Sequence, residues 1–224
     1  MSTDRKCIFV NDRYYHVFNR GYEKRQIFSS SKEYERALKI ANYYQYREKP
    51  LCFSHFARLS ADDQTKILSS VQQSQNKLVD IVSFCLMPNH FHFVLKQNQD
   101  GGISKFVADF TNSYTKYYNT KHSRSLMLFQ GIFKAVPVED DDQLIHLTRY
   151  IHLNPYVSSQ IDLPGLDKYP WSSYQEYLGE IDNPMSNPEL ILEMVGGPKK
   201  YKEFVDNQAD YAKELNEIKH LSLE

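Results

Sequence analysis

Residues 81–95, Ile-Val-Ser-Phe-Cys-Leu-Met-Pro-Asn-His-Phe-His-Phe-Val-Leu, leave the chain few folding options. Val, Ile and Phe dominate both arms, and Pro88-Asn89 between them is turn chemistry, so the stretch reads as two strands joined by a tight turn. In a strand, side chains at i and i+2 share a face, about 6–7 Å apart. His90 and His92 therefore lie together on one face, and Phe91 and Phe93 fill the other. Two imidazoles so placed can converge on one divalent cation. The same pattern also suits two solvated or hydrogen-bonded histidines.

The flanking sequence supplies the partners such a hairpin needs. Tyr14-Tyr15-His16-Val17-Phe18 alternates as a strand and ends at Asn19-Arg20-Gly21. Lys24 and Arg25 follow, making that turn a small basic patch that reads as a solvated loop or as a phosphate contact. Ser30-Ser31-Lys32-Glu33 opens a helix of about residues 32–46, which Pro50 ends. Residues from about 51 to 76 read as a largely helical insert, with Ile67, Leu68 and Val71 on one face. After Gly101-Gly102, the spacing of Ile103, Phe106, Val107, Phe110, Tyr114 and Tyr117 predicts a helix to about Asn119. Its other face carries Lys105 and Lys116, either a solvated amphipathic surface or a groove for a single strand.

Residues 129–138 read as a strand, with Pro137 marking an edge position or its end. Glu139 through Asp142 is an acidic helix start, and Leu144, Ile145, Leu147 and Ile151 carry that helix to a stop at Asn154-Pro155. Tyr169-Pro170-Trp171-Ser172-Ser173-Tyr174 is an aromatic packing patch, and residues 187–224 read as helical and increasingly polar. The order is β-α-β-β-α-β with a further helix. It predicts an α+β fold of the ferredoxin-like kind, one antiparallel sheet with helices on one face.

The chain of 224 residues suffices for one substantial core, and 41% hydrophobic with 25% charged residues is a globular composition. No apolar run is long enough to span a bilayer, and no apolar segment follows Met1–Lys6 as in a leader peptide. The three cysteines, Cys7, Cys52 and Cys85, form no close pair, so the expected compartment is the reducing cytoplasm. The net charge of −1 argues against a broadly basic nucleic-acid surface, so any phosphate contact must be local. Seventeen Tyr and thirteen Phe offer ample stacking surface.

Tyr150 and Asn154 stand four residues apart, one above the other on a helix face, while Leu147 and Ile151 make a different, apolar face. A phenol and a carboxamide presented together beside two histidines have the makings of an active site. The plainer reading is that Tyr150 packs and Asn154 caps the helix.

At these residues a resemblance emerges. Cys85-Leu86-Met87-Pro88-Asn89-His90-Phe91-His92-Phe93 resembles the His-hydrophobic-His (HUH) motif of single-tyrosine transposases. Arg149-Tyr150-Ile151-His152-Leu153-Asn154-Pro155 resembles the catalytic tyrosine helix of REP-associated tyrosine transposases, relatives of the insertion-sequence-200 enzymes. Residues 15–21, Phe129-Gln130-Gly131 and residues 169–174 match in the same order, so the likeness spans roughly residues 14–179. It implies a transposase domain over residues 8–179, including the insert at about 51–76, followed by a C-terminal helical extension over 180–224.

The implied activity is metal-dependent cleavage and strand transfer on single-stranded, hairpin-forming DNA through a 5′-phosphotyrosine. By this likeness, Tyr150 is the nucleophile, and His90, His92 and Asn154 bind Mg2+ or Mn2+. The basic residues Arg20, Lys24, Arg25, Lys105, Lys116, Lys134 and Arg149 are candidates for DNA contact. His146, one turn before Tyr150, is a candidate base on position alone. No nucleotide cofactor is needed, because the phosphotyrosine keeps the bond energy for rejoining, and relatives act as monomers or homodimers. Ile132 stands where many relatives have a basic residue. Two other readings fit: a ferredoxin-like nucleic-acid binder without catalysis, and a metal phosphodiesterase using water in place of Tyr150.

Overall fold

The computed structural model describes residues 7–74 and 76–210. Alternation decides the first strand: in β1 (Tyr14–Arg20), Tyr15, Val17 and Asn19 are buried on one face while Tyr14, His16 and Phe18 take the other. The hairpin follows the sequence reading, with β2 (Val79–Met87) and β3 (His90–Gln97) joined at Pro88-Asn89. With β4 (Lys134–Pro137) these strands form one antiparallel sheet in the order β2-β3-β1-β4. β3 and β1 are central, as a ferredoxin-like arrangement requires. Their register sets Phe18 opposite His92 and Arg20 opposite His90.

The fourth strand is shorter than the ten residues expected. Phe129 makes only an isolated bridge to Gly21, and Gly131 then turns the chain at φ 64°, a conformation that side-chain-bearing residues rarely adopt. β4 is an edge strand, which explains how Pro137 is tolerated.

The Phe91 face is covered by α1 (Ser31–Tyr44) and α4 (Gly102–Lys121). Phe106 and Phe110 of α4 pack against Phe93, and Phe110 also meets Phe91, with ring centroids 5.2–5.7 Å apart. The insert is helical as expected, with α2 (Phe53–Phe56) and α3 (Ala61–Gln73), and Phe53 and Phe56 join this same core. Arg36 ties the insert in, its guanidinium 4.6 Å from the Phe53 ring and 5.0 Å from that of Tyr117.

Helices on one face alone do not describe the molecule. A second core covers part of the other face, where Val82, Cys85, Met87 and Val94 meet α5 (Asp141–Val157), α6 (Tyr174–Tyr177), α7 (Glu189–Val195) and α8 (Pro198–Asp206). Asp140 caps α5 by accepting from the Gln143 amide at 2.7 Å. Pro155 does not stop α5, which runs on to Val157. Proline here removes the N–H that would bond the Ile151 carbonyl, and the helix ends within a turn of it. The aromatic patch proves to be an edge cover: Leu86 N–H donates to Trp171 O at 2.8 Å and Ser173 N–H to Phe84 O at 3.0 Å, closing the outer side of β2. Trp171 stacks on Tyr34 at 4.7 Å. The helical reading of the C-terminal part holds for α7 and α8, and residues 211–224 lie outside the described residues, as do Met1–Lys6.

Candidate active site

The second core leaves the central strands uncovered where the histidines lie. His90 and His92 come from β3, His16 and Phe18 from β1, and α5 lays Tyr150 and Asn154 across them. These elements enclose one open cavity of about 1070 Å³, lined by Phe18, Arg20, Lys24, His90, His92, Lys134, Tyr150 and Asn154 among others. The Tyr150 ring is half exposed, with its centroid 6.0 Å from that of His92 and 6.3 Å from that of His16. The His90 and His92 rings meet edge-on at 5.0 Å.

Each histidine is anchored through Nδ1. His90 Nδ1 lies 2.6 Å from Asn89 Oδ1, and His92 Nδ1 lies 2.8 Å from His16 Nε2. Burial pushes His16 and His90 down to about 4 and holds His92 well below the usual histidine range, so all three are neutral at pH 7 and keep a ring lone pair. Burial raises the Tyr150 phenol above its usual value, and the Asn154 carboxamide beside it pulls in the opposite direction. Asn154 Nδ2 donates to the Tyr150 carbonyl at 2.9 Å, which leaves Oδ1 as its acceptor atom.

This donor set fits a divalent cation. Two neutral imidazoles anchored at one nitrogen leave Nε2 for coordination, the arrangement common around metal-binding histidines. Among the described residues, no three His, Cys, Asp or Glu side chains gather into a metal-binding group. A cation held by His90 and His92 could take a third protein donor from Asn154 Oδ1, which lines the same cavity.

The basic residues divide sharply. Arg20, Lys24 and Lys134 line the cavity, and Arg20 Nε donates to Gln130 Oε1. Lys105 and Lys116 stand on α4, which packs on the Phe91 face of the sheet, away from the histidines; Lys105 pairs with Asp109 at 2.9 Å. Arg25 lies over the Tyr22 ring at 5.7 Å and pairs with Glu23 at 3.5 Å. Arg149 and His146 also turn away from the cavity. The Arg149 guanidinium rests 4.0 Å from the Phe204 ring centroid, and its Nη2 lies 2.7 Å from His146 Nδ1. His146 itself packs on Phe204, at 5.5 Å. Neither lines the cavity with Tyr150, so one helical turn of separation does not bring His146 to the phenol as a base.

Sequence reasoning passed over His16 and Asn89. The alternation of β1 was enough to put His16 on the Tyr14-Phe18 face, but only strand order and register reveal that this face meets His92.

Comparison with known proteins finds a family match and a structural match. Residues 54–154 match the family model described as IS200-like transposase, a segment that holds His90, His92, Tyr150 and Asn154. No curated protein matches the chain. Among solved structures, that of a REP-associated tyrosine transposase bound to a REP hairpin superposes with a TM-score of 0.52 at 13% identity, covering 84% of this chain and 91% of that one. The chain thus resembles IS200-like transposases in sequence over residues 54–154 and shares its fold with that structure.

Proposed function

We propose that this transposase-like chain is a metal-dependent endonuclease and strand transferase acting on single-stranded, hairpin-forming DNA, with Tyr150 as the nucleophile. The observation that carries the reading is the meeting of Tyr150 and Asn154 from α5 with His90 and His92 from β3 in one cavity bordered by Arg20, Lys24 and Lys134.

His90, His92 and Asn154 would hold Mg2+ or Mn2+, the imidazole donors favouring Mn2+. When bound, such a cation supplies positive charge that polarises a phosphate and eases loss of an alkoxide. The chain's own part is positional and electrostatic. Arg20, Lys24 and Lys134 pair with backbone phosphates and bring a strand across the cavity. The Tyr150 oxygen attacks the scissile phosphorus, the bond from phosphorus to the 3′ oxygen breaks, and a 5′-phosphotyrosine and a free 3′-OH result. The phenol proton leaves and the departing oxygen gains one, so the step is neutral in protons. Attack by a 3′-OH on the phosphotyrosine reverses these bond changes and rejoins a strand without a nucleotide cofactor. No helix among the described residues is long and apolar enough to cross a membrane.

The test is covalent trapping. Labelled single-stranded hairpin oligonucleotides from the flanks of the protein's own gene are incubated with the protein and Mn2+, beside Tyr150→Phe, and run on a denaturing gel. The expected result is a labelled protein band that disappears in the variant. Cleavage persisting in Tyr150→Phe would replace the tyrosine by water as nucleophile. Binding without any product on every flank would make the protein a DNA binder.

A further inference from the structure

The geometry points to Asn89 as a positioning residue that holds the His90 imidazole and the Lys24 loop in a single arrangement, an inference that rests on the reading of His90 as a metal ligand. Asn89 lies at the turn between β2 and β3, and its carboxamide touches two groups of known polarity. Its Nδ2 is 3.3 Å from the Lys24 carbonyl. A carbonyl only accepts, so the amide nitrogen faces the loop and Oδ1 must face His90. Oδ1, 2.6 Å from His90 Nδ1, likewise only accepts. Nδ1 therefore carries the ring proton and the lone pair sits on Nε2. The Lys24 carbonyl fixes the tautomer of His90 through one intervening side chain.

The backbone of the same turn reinforces the link. Gly21 N–H donates to Asn89 O at 2.7 Å, and Ile27 and Phe28 N–H groups donate to Pro88 O at 2.8 and 3.0 Å. Between these ties the loop holds Glu23 at φ 54° and Lys24 at φ 57°, left-handed conformations that non-glycine residues keep only when their surroundings impose them. Lys24 lines the cavity. Asn89, itself on the cavity wall, thus couples the residue that would meet a phosphate to the residue that would meet the cation.

The two halves of the carboxamide separate by substitution. Asn89→Ala removes both contacts. Asn89→Asp keeps an acceptor for His90 but sets an oxygen against the Lys24 carbonyl. Three measurements follow on the native protein and both variants: nitrogen-15 ring resonances of His90 without metal, Mn2+ titration followed by electron paramagnetic resonance, and metal-free binding of a labelled single-stranded hairpin oligonucleotide.

The native protein should show His90 protonated at Nδ1. Asn89→Ala should lose that preference and weaken Mn2+ binding about 10–100-fold. Asn89→Asp should restore the tautomer and most of the Mn2+ affinity while leaving oligonucleotide binding as weak as in Asn89→Ala, a split that a general loss of structure would not give. A native His90 protonated at Nε2, or an Asn89→Ala variant with native Mn2+ affinity, would overturn the assignment. A native protein with His90 protonated at Nδ1 that binds no Mn2+ would uphold the role of Asn89 and reject the metal reading of the site.

Discussion

Two ionisable side chains are pulled in opposite directions by their surroundings. Tyr150 is held protonated, because burial opposes the phenolate more than the Asn154 carboxamide favours it. Glu33 is wholly buried and does not line the cavity, and burial alone would raise its carboxyl. Hydrogen bonds from Lys121, the Ser29 amide and His122 more than reverse this and lower it to about 2. Lys121 Nζ and His122 Nε2 lie 2.6 and 2.8 Å from Oε1 and tie the end of α4 to the start of α1. A carboxylate whose pKa falls on folding stabilises the native state above its unfolded value near 4.5 and loses that contribution as pH drops towards 2. We expect Glu33→Gln to lower stability by about 3 kcal/mol at pH 7, and the gap to the native protein to shrink steadily below pH 4.5. Urea denaturation at pH 7, 4 and 3 measures it, and a gap independent of pH would refute the assignment. None of this was legible beforehand: Glu33 reads as a capping residue in sequence, because Lys121 and His122 are 88 and 89 residues away.

At the scale of elements, the placement of Tyr150 depends on how α5 is fastened. His152, two residues on, is completely buried, with Nδ1 2.7 Å from Tyr201 Oη and Nε2 2.7 Å from Ser173 Oγ. Ser173 Oγ also accepts from the Phe84 amide of β2 at 2.9 Å. One imidazole thus joins the tyrosine helix to α8 and to the sheet. Tyr201→Phe keeps the ring and strands a buried nitrogen, which should cost roughly 1–3 kcal/mol. The expected signature is a lower urea midpoint with an unchanged slope, and an unaltered midpoint would show that the bond contributes nothing. The sequence placed α5 and its paired Tyr150 and Asn154 correctly, because helical spacing is local. It left the basic face of α4 undecided, since amphipathicity says which side of a helix is apolar but not which face of the sheet that side meets. Phe106 and Phe110 commit α4 to the Phe91 face, and Lys105 and Lys116 go with it.

For the whole molecule, the hairpin followed from alternation and turn chemistry and the central place of β1 and β3 from the order of elements, whereas the second core did not, because it gathers Cys85, Ile151, Tyr177 and Tyr201 from distant segments. Strand pairing explains how a nearly neutral chain can present a cationic site. With 27 Lys and Arg against 28 Asp and Glu, there is no global field to attract DNA, and on the proposed function attraction must come from charges concentrated at one place. Arg20, Lys24 and Lys134 are that concentration, brought together by β1, its following turn and the edge strand β4. Each phosphate neutralised on a single strand contributes about 0.7 to the slope of log affinity against log salt, so three cations predict a slope near −2. Lys134→Ala should weaken binding of a labelled single-stranded hairpin at low salt and bring the slope to about −1.4. Lys116→Ala, on the far side of the sheet, should leave both unchanged. Fluorescence anisotropy between 50 and 300 mM salt separates the two, and an equal loss in both variants would mean that the strand crosses the α4 face and not the cavity.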